Sequence, residues 1–292
     1  MYPPTFDYIR AESVEHAIQL LGDHEDAKLL AGGHSLLPMM KLRLAMPPTV
    51  IDIGRVATLR GVTVDGGTVD GGTVDGGTVR IGALTTHAEV ADSADVQQHA
   101  PVLAEAAAKI GDPAVRNRGT VGGNIAHADP ASDLPAVLLA LGATVHLQSA
   151  DGARTVAAAD FFTGLLETDL KEGEVLVAVS FEALASGNDG SAYLKVEHAA
   201  SGYAVCGAAA VIRGDQVSLA YNGVTAVPHH AGAVSDALSG SDLADGTIDA
   251  AIDGHLDLED PLSDVQADAA YRAHLAAVYG KRALKAARDR RG

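Results

Sequence analysis

The stretch from Arg118 to Asp133, RGTVGGNIAHADPASD, constrains this chain more than any other, because a glycine pair there separates an expected strand end from an apolar run, Leu134 to Leu141, that reads as helix. Gly122 and Gly123 carry no β-carbon, so the backbone can take positive φ, come close to a ligand and turn consecutive N–H groups toward an anion. A diphosphate needs that chemistry. Thr120 and Asn124 flank the pair with short hydrogen-bonding side chains, and Asp129-Pro130 reads as a helix cap followed by a residue favoured in the first helical turn. Pro135 leaves the helix start open. Asp133 then falls near that start, within reach of sugar-type hydroxyls. On these residues alone a tight turn that binds nothing is an equal alternative, since short glycine motifs recur by chance.

A second glycine pair stands about 90 residues earlier, in AGGHSLLP from Ala31 to Pro38. The first fifty residues alternate strand and helix: a strand at Phe6 to Arg10, a helix capped by Ser13 and ending at Gly22, and a strand at Lys28 to Ala31. A helix over Leu36 to Leu44 and a strand at Thr49 to Ile53 complete a βαβ-like unit. Gly32 and Gly33 thus follow a strand and precede a helix, where N–H groups again face an anion. The G-x-G-x-x-G spacing of the dinucleotide fingerprint is absent. Two glycine-paired loops give one diphosphate two walls.

The totals exclude several classes. The chain has 38 acidic and 21 basic residues, a net charge of -17, which opposes binding to a phosphate backbone, so nucleic acid is not an expected partner. No apolar run reaches the ~18 residues of a membrane span, and the start lacks a basic segment followed by an apolar one. The expected location is cytoplasmic. Cys206 is the single cysteine, so the chain forms no internal disulfide and ligates no iron–sulfur cluster with its own thiolates. Scarce lysine, carboxylates spread along the chain and 4% aromatic residues suggest a halophilic protein, with an ordinary acidic one as the alternative.

With both loops in place, the chain resembles the FAD-binding medium subunit of the molybdenum hydroxylases, of the carbon monoxide dehydrogenase and xanthine dehydrogenase type. The resemblance is carried by FDYIRAES, the AGGHSLLP loop, DIG at Asp52 to Gly54, RIGALTTHAEV at Arg80 to Val90, RNRGTVGGNIAHADPASDLPAVLLALGA, and YRAHLAAVYGKRAL near the end. It implies an α+β fold: a two-lobed FAD-binding domain of the vanillyl-alcohol-oxidase (PCMH) type over 1–180, with lobes 1–57 and 58–180. A smaller α+β domain over 181–292 follows. It also implies FAD contacts from Ala31, Gly32, Gly33, His34, Ser35 and Leu36, from Thr120, Gly122, Gly123, Asn124 and His127, and from Asp133 toward ribityl or ribose hydroxyls. Lys195 matches a lysine near the flavin, and Tyr203 an aromatic that approaches the isoalloxazine. The chain departs from the pattern at His198, where an arginine is common, and at Gly202, where an acidic residue is common.

Elsewhere the residues speak for themselves. DGGTV occurs three times, at Asp65 to Val69, Asp70 to Val74 and Asp75 to Val79, between VTV and VRIG. One Asp-Gly turn suffices for a hairpin there, so the repeat reads as an expansion of its loop. Helices are expected from Thr86 to Ala91 and Ala100 to Ile110, and strands at Ala143 to Gln148 and Val175 to Phe181 around a loop holding Phe161 and Phe162. Composition shifts near Ala183 to Gly190. Beyond it, Ala204 to Ile212 and Gln216 to Val224 pair across Gly214-Asp215, and helices follow from His230 and over Asp264 to Arg288. His229 and His230 read as loop histidines and Cys206 as core.

The resemblance implies that FAD carries the redox chemistry. Electrons would arrive from a large molybdenum-pterin subunit through a small iron–sulfur subunit, in a dimer of heterotrimers, and leave to NAD or another acceptor. The competing expectations are a stand-alone FAD oxidase and a non-enzymatic acidic scaffold.

Overall fold

The computed structural model describes residues 2–66, 77–185 and 187–291. The βαβ-like reading of the first fifty residues is borne out. Strand β1 (Asp7–Arg10), helix α1 (Val14–Asp23), strand β2 (Lys28–Leu30), helix α2 (Leu36–Lys41) and strand β3 (Thr49–Asp52) form a parallel sheet in the order β1-β3-β2. The Ser13 side chain caps α1, accepting from the N–H of His16, and Val14, Ala17, Ile18 and Leu20 give it one buried face. Helix α2 stops three residues short of the expected Leu44. Arg43 has a left-handed φ of 59°, and the N–H groups of Leu44 and Ala45 turn back onto the Met39 carbonyl.

A second, antiparallel sheet has the order β4-β5-β10-β6-β7. Strands β4 (Val62–Asp65) and β5 (Thr78–Gly82) pair as the expected hairpin, with Asp65 opposite Thr78. Most of the DGGTV repeat, 67–76, lies outside the described residues. Six helices follow: α3 (His87–Asp92), α4 (Ala94–His99), α5 (Pro101–Ala108), α6 (Pro113–Arg116), α7 (Val121–His127) and α8 (Asp133–Ala140). Thr86 and Glu89 form a reciprocal capping box at the start of α3. Every residue of α8 is buried.

Two local expectations are corrected here. The Gly122-Gly123 pair does not follow a strand but lies inside the first turn of α7, which Thr120 caps. Asp129 does not cap a helix either: its carboxylate accepts from the Ala131 N–H, and α8 starts after Ser132. Pro135 fits in the first turn of α8, where its missing N–H would have had no intrahelical partner.

Strands β6 (Thr144–Ser149) and β7 (Gly152–Ala157) make a hairpin, and a short helix α9 (Ala158–Phe161) with the two-stranded pair β8 (Phe162–Gly164) and β9 (Glu167–Thr168) leads to β10 (Val175–Glu182). The segment holding Phe161 and Phe162 is therefore structured and buried, with the two rings edge to face at 5.4 Å.

The third sheet, order β11-β12-β13-β14, joins β11 (Gly190–Glu197), β12 (Ala204–Arg213), β13 (Gln216–Asn222) and β14 (His229–His230). The β12–β13 hairpin turns at Gly214-Asp215 as expected, with Arg213 opposite Gln216. His229 and His230 form the short strand β14 rather than a loop. Helices α10 (Gly232–Leu238), α11 (Asp245–His255) and α12 (Ala269–Asp289) follow. Helix α12 starts at Ala269 rather than at the expected Asp264, and Asp268 caps it, accepting from the Tyr271 N–H. Sheet three lies between α12 on one face and α5 and α8 on the other. Cys206 is buried in it, its thiol pushed up to about 12 by burial. Among the described residues no helix is long and apolar enough to cross a membrane.

Candidate flavin site

A cavity of about 830 Å³ runs between the three sheets, near the upper end of volumes for small-molecule sites. Four segments supply most of its wall: the β2–α2 connection, the stretch from Gly119 to Asp133, the turn from Leu170 to Leu176, and Ser201 to Tyr203 between β11 and β12. Every residue that the resemblance implied lines it, except Lys195.

The first wall supplies free donors. Gly33 has a φ of 79°, which reverses the chain between β2 and α2. None of the backbone N–H groups from Gly32 to Leu36 donates to a protein acceptor among the described residues. A run of N–H groups around a left-handed residue makes an anion-binding concavity. A Cβ at Gly32 would run into the Arg118 carbonyl oxygen, so the two loops touch only because residue 32 has none.

The second wall does not supply donors in the way its glycines suggest. The Val121 N–H donates to the Thr85 carbonyl at 3.0 Å and that of Gly122 to the Ala83 carbonyl at 2.8 Å, while Gly123 donates to Thr120 Oγ1 at 3.2 Å. All three leading N–H groups of α7 are spent inside the protein. Gly122 serves packing, since a Cβ there would sit 2.5 Å from that of Ala83. What this wall offers the cavity is side chains. Asn124 Oδ1 accepts from Ser132 Oγ at 2.6 Å, which leaves its amide nitrogen to donate, and His127 lines the cavity from the last turn of α7.

The third wall was not legible beforehand. Arg154 of β7 donates to Glu174 and Asp169 at 2.6 Å each, and Glu174 also accepts from the Lys171 N–H, which pins the turn in front of β10. The Arg154 hydrogen bonds hold the Glu174 carboxyl below its usual range.

Where the second wall meets the fourth, Asp133 is 4% exposed and accepts from the Tyr193 hydroxyl at 2.6 Å and pairs with Lys195 Nζ at 3.1 Å. Burial pushes this carboxyl above its usual range, opposed by Lys195 and Tyr193. Lys195 Nζ also donates to the carbonyls of Lys109 at 2.7 Å and Gly202 at 2.8 Å. Its three donors are all used, so it acts as a fastener between α5, α8 and the segment before Tyr203, behind the cavity wall rather than in it. Tyr203 is 48% exposed and its phenol is shifted up by burial. His198, at one departure from the family pattern, closes that segment: its N–H donates to the Tyr203 carbonyl and its ring bonds Ser201 Oγ.

Two participants escaped the sequence reading. Tyr193 stands two residues from Lys195 on one strand, so both side chains leave the same face of β11, a period-two signal that could have paired them. His87, 3% exposed, also lines the cavity.

Comparison with known proteins agrees with this geometry. The family described as the FAD binding domain in molybdopterin dehydrogenase matches residues 4–181, and the CO dehydrogenase flavoprotein C-terminal domain matches residues 191–287. This chain belongs to that family. It is a FAD-binding subunit of an oxidoreductase, the medium subunit of a molybdenum hydroxylase. It is 42% identical to the carbon monoxide dehydrogenase medium chain of Hydrogenophaga pseudoflava, over 98% of each chain. It is 37% identical to the glyceraldehyde dehydrogenase medium chain of Sulfolobus acidocaldarius, over 98% of this chain and 99% of the relative. The solved carbon monoxide dehydrogenase from Hydrogenophaga pseudoflava superposes with a TM-score of 0.92, covering 99% of both chains.

Proposed function

We propose that FAD lies in this cavity with its diphosphate on the N–H groups of Gly32 to Leu36, and that the chain relays electrons from a partner iron–sulfur subunit to an acceptor. The run of free donors carries the reading. Ala31, Gly32, Gly33, His34, Ser35 and Leu36 form one side of the cradle. Thr120, Gly122, Gly123, Asn124 and His127 form the other, with the two glycines making room and Asn124 donating. Asp133 and Tyr203 border the flavin end, and Lys195 holds both in place from behind. Bound FAD supplies the redox chemistry, and the protein binds, orients and shields it.

The division that supports this role is a FAD-binding domain over 1–180 and a C-terminal domain over 181–292, consistent with the break between the two family matches at 181 and 191. The single cysteine supports a separate cluster subunit, since one thiolate cannot hold a cluster. A large molybdenum-pterin subunit completes each heterotrimer, two of which pair in the cytoplasm, and NAD or another acceptor takes the electrons. Relatives named for carbon monoxide and for glyceraldehyde resemble this chain at 42% and 37% identity, so the choice of substrate rests with the large subunit.

The test compares the FAD-loaded chain alone with the complex. Alone it should show at most weak reduction of artificial electron carriers. Within the complex its flavin absorbance should bleach on adding substrate. Robust oxidation of a small organic substrate by the single chain, free of molybdenum and iron, would overturn the reading in favour of a stand-alone oxidase.

A further inference from the structure

His87 is the first residue of α3, and its backbone N–H donates to the Gly119 carbonyl at 3.0 Å, which ties it to the second wall. Its ring lines the cavity at 3% residue exposure. The two ring nitrogens have different surroundings. Nδ1 is enclosed and has no partner among the described residues. The other edge lies beneath Gly119: a Cβ there would stand 2.8 Å from Cδ2 and 3.0 Å from Nε2. The ring therefore packs flat against the Gly119 backbone, and Nε2, which has no partner among the described residues but is not enclosed as Nδ1 is, keeps access to the cavity that Gly119 also lines.

This asymmetry favours Nε2 as the protonated nitrogen. A buried N–H without an acceptor costs more than a buried lone pair without a donor, so Nδ1 stays bare and Nε2 carries the hydrogen. The charged or titratable groups facing the ring are His34 from the first wall and Arg116 from α6. Burial foremost, and then these two, resist a second proton and bring the pKa down to about 4. We infer that His87 is a binding residue of the cavity, a neutral imidazole locked in one tautomer that donates from Nε2 to an acceptor atom of the bound FAD. The inference rests on FAD occupying the cavity. A neutral donor here adds to the backbone donors of Gly32 to Leu36 without adding a charge that would have to be desolvated.

The experiment uses the full-length chain. Nitrogen NMR of protein labelled at histidine, assigned against H87Q, should show Nε2 protonated and Nδ1 bare, both before and after FAD is added. FAD affinity should fall about tenfold in H87F, which keeps the ring shape and removes the donor, and stay within about threefold in H87Q, whose amide can donate from the same place. The ratio of wild-type to H87F affinity should be the same at pH 6, 7 and 8, since no titration of this ring is involved. A proton on Nδ1, an H87F variant that binds FAD as tightly as wild type, or a ratio that grows as pH falls each overturns the inference. A wild-type chain that takes up no FAD overturns the occupancy of the cavity, and this assignment with it.

Discussion

At position 123 a side chain has nowhere to go: a Cβ would sit 2.8 Å from Thr120 Oγ1 and 3.7 Å from the Cβ of Ala31, in the gap between the two loops. Gly123→Val should therefore displace the cap of α7 and close the cradle, and the purified variant should lack flavin absorbance even after reconstitution with FAD. Retention of stoichiometric FAD would count against the two-walled cradle. His87 makes a second prediction, of stability. Its pKa is about 4 in the fold against about 6.5 in an unfolded chain, so between these values the unfolded state binds more protons and stability is lost as pH falls. Between pH 7 and 4, wild type should lose about 3 kcal/mol more than H87Q by urea titration, an upper value if the ring gains access to water on acidification. Equal losses would mean that the ring is not buried as described.

At the scale of elements, Lys195 joins three parts of the fold through one ammonium. With its side chain 2% exposed, Lys195→Met leaves Asp133 charged and buried, which should cost about 3–5 kcal/mol, and a K195M/D133N double variant should recover part of that loss. An additive double variant would show that the two residues are not coupled. The β4–β5 hairpin gives another test. Deleting Asp65 to Val74 places Asp75 opposite Thr78, where Asp65 stood, with Gly76-Gly77 as a two-residue turn of a favoured kind. FAD content should be unchanged and stability the same or about 1 kcal/mol higher, whereas loss of FAD would reveal a role for the repeat. Much of this architecture was legible in the residues. Strands β2, β3 and β12 carry apolar runs, β13 alternates polar and apolar residues, and turn residues bound them. Strand β7, GARTVA, was not legible because it is a polar edge strand whose identity comes from pairing with β6. The cradle was half legible for a related reason. Glycine pairs mark both loops, but which N–H groups remain free depends on the Ala83 and Thr85 carbonyls, some forty residues from α7 in sequence. Lys195 could be placed near the site by resemblance, while its three acceptors are set entirely by tertiary packing.

Over the whole molecule, 38 acidic residues against 21 basic ones leave a net charge of -17 on a single chain. Repulsion among surface carboxylates acts over ~30 Å at 0.01 M salt and is screened within ~10 Å at 0.1 M. If hydrated carboxylates also recruit cations, the melting temperature should keep rising from 0.1 M to 3 M KCl. A flat or falling midpoint would mark an ordinary acidic protein instead. The wall at Ser201 to Tyr203 belongs to the third sheet, while the cradle belongs to the first, and the Lys195 ammonium fastens that wall to α5 and α8. FAD seated as proposed would bridge two halves of the chain and serve as a thermodynamic reporter on their assembly. A docking subunit that tightens the third sheet against α8 would then tighten FAD, and FAD would tighten that docking by the same factor.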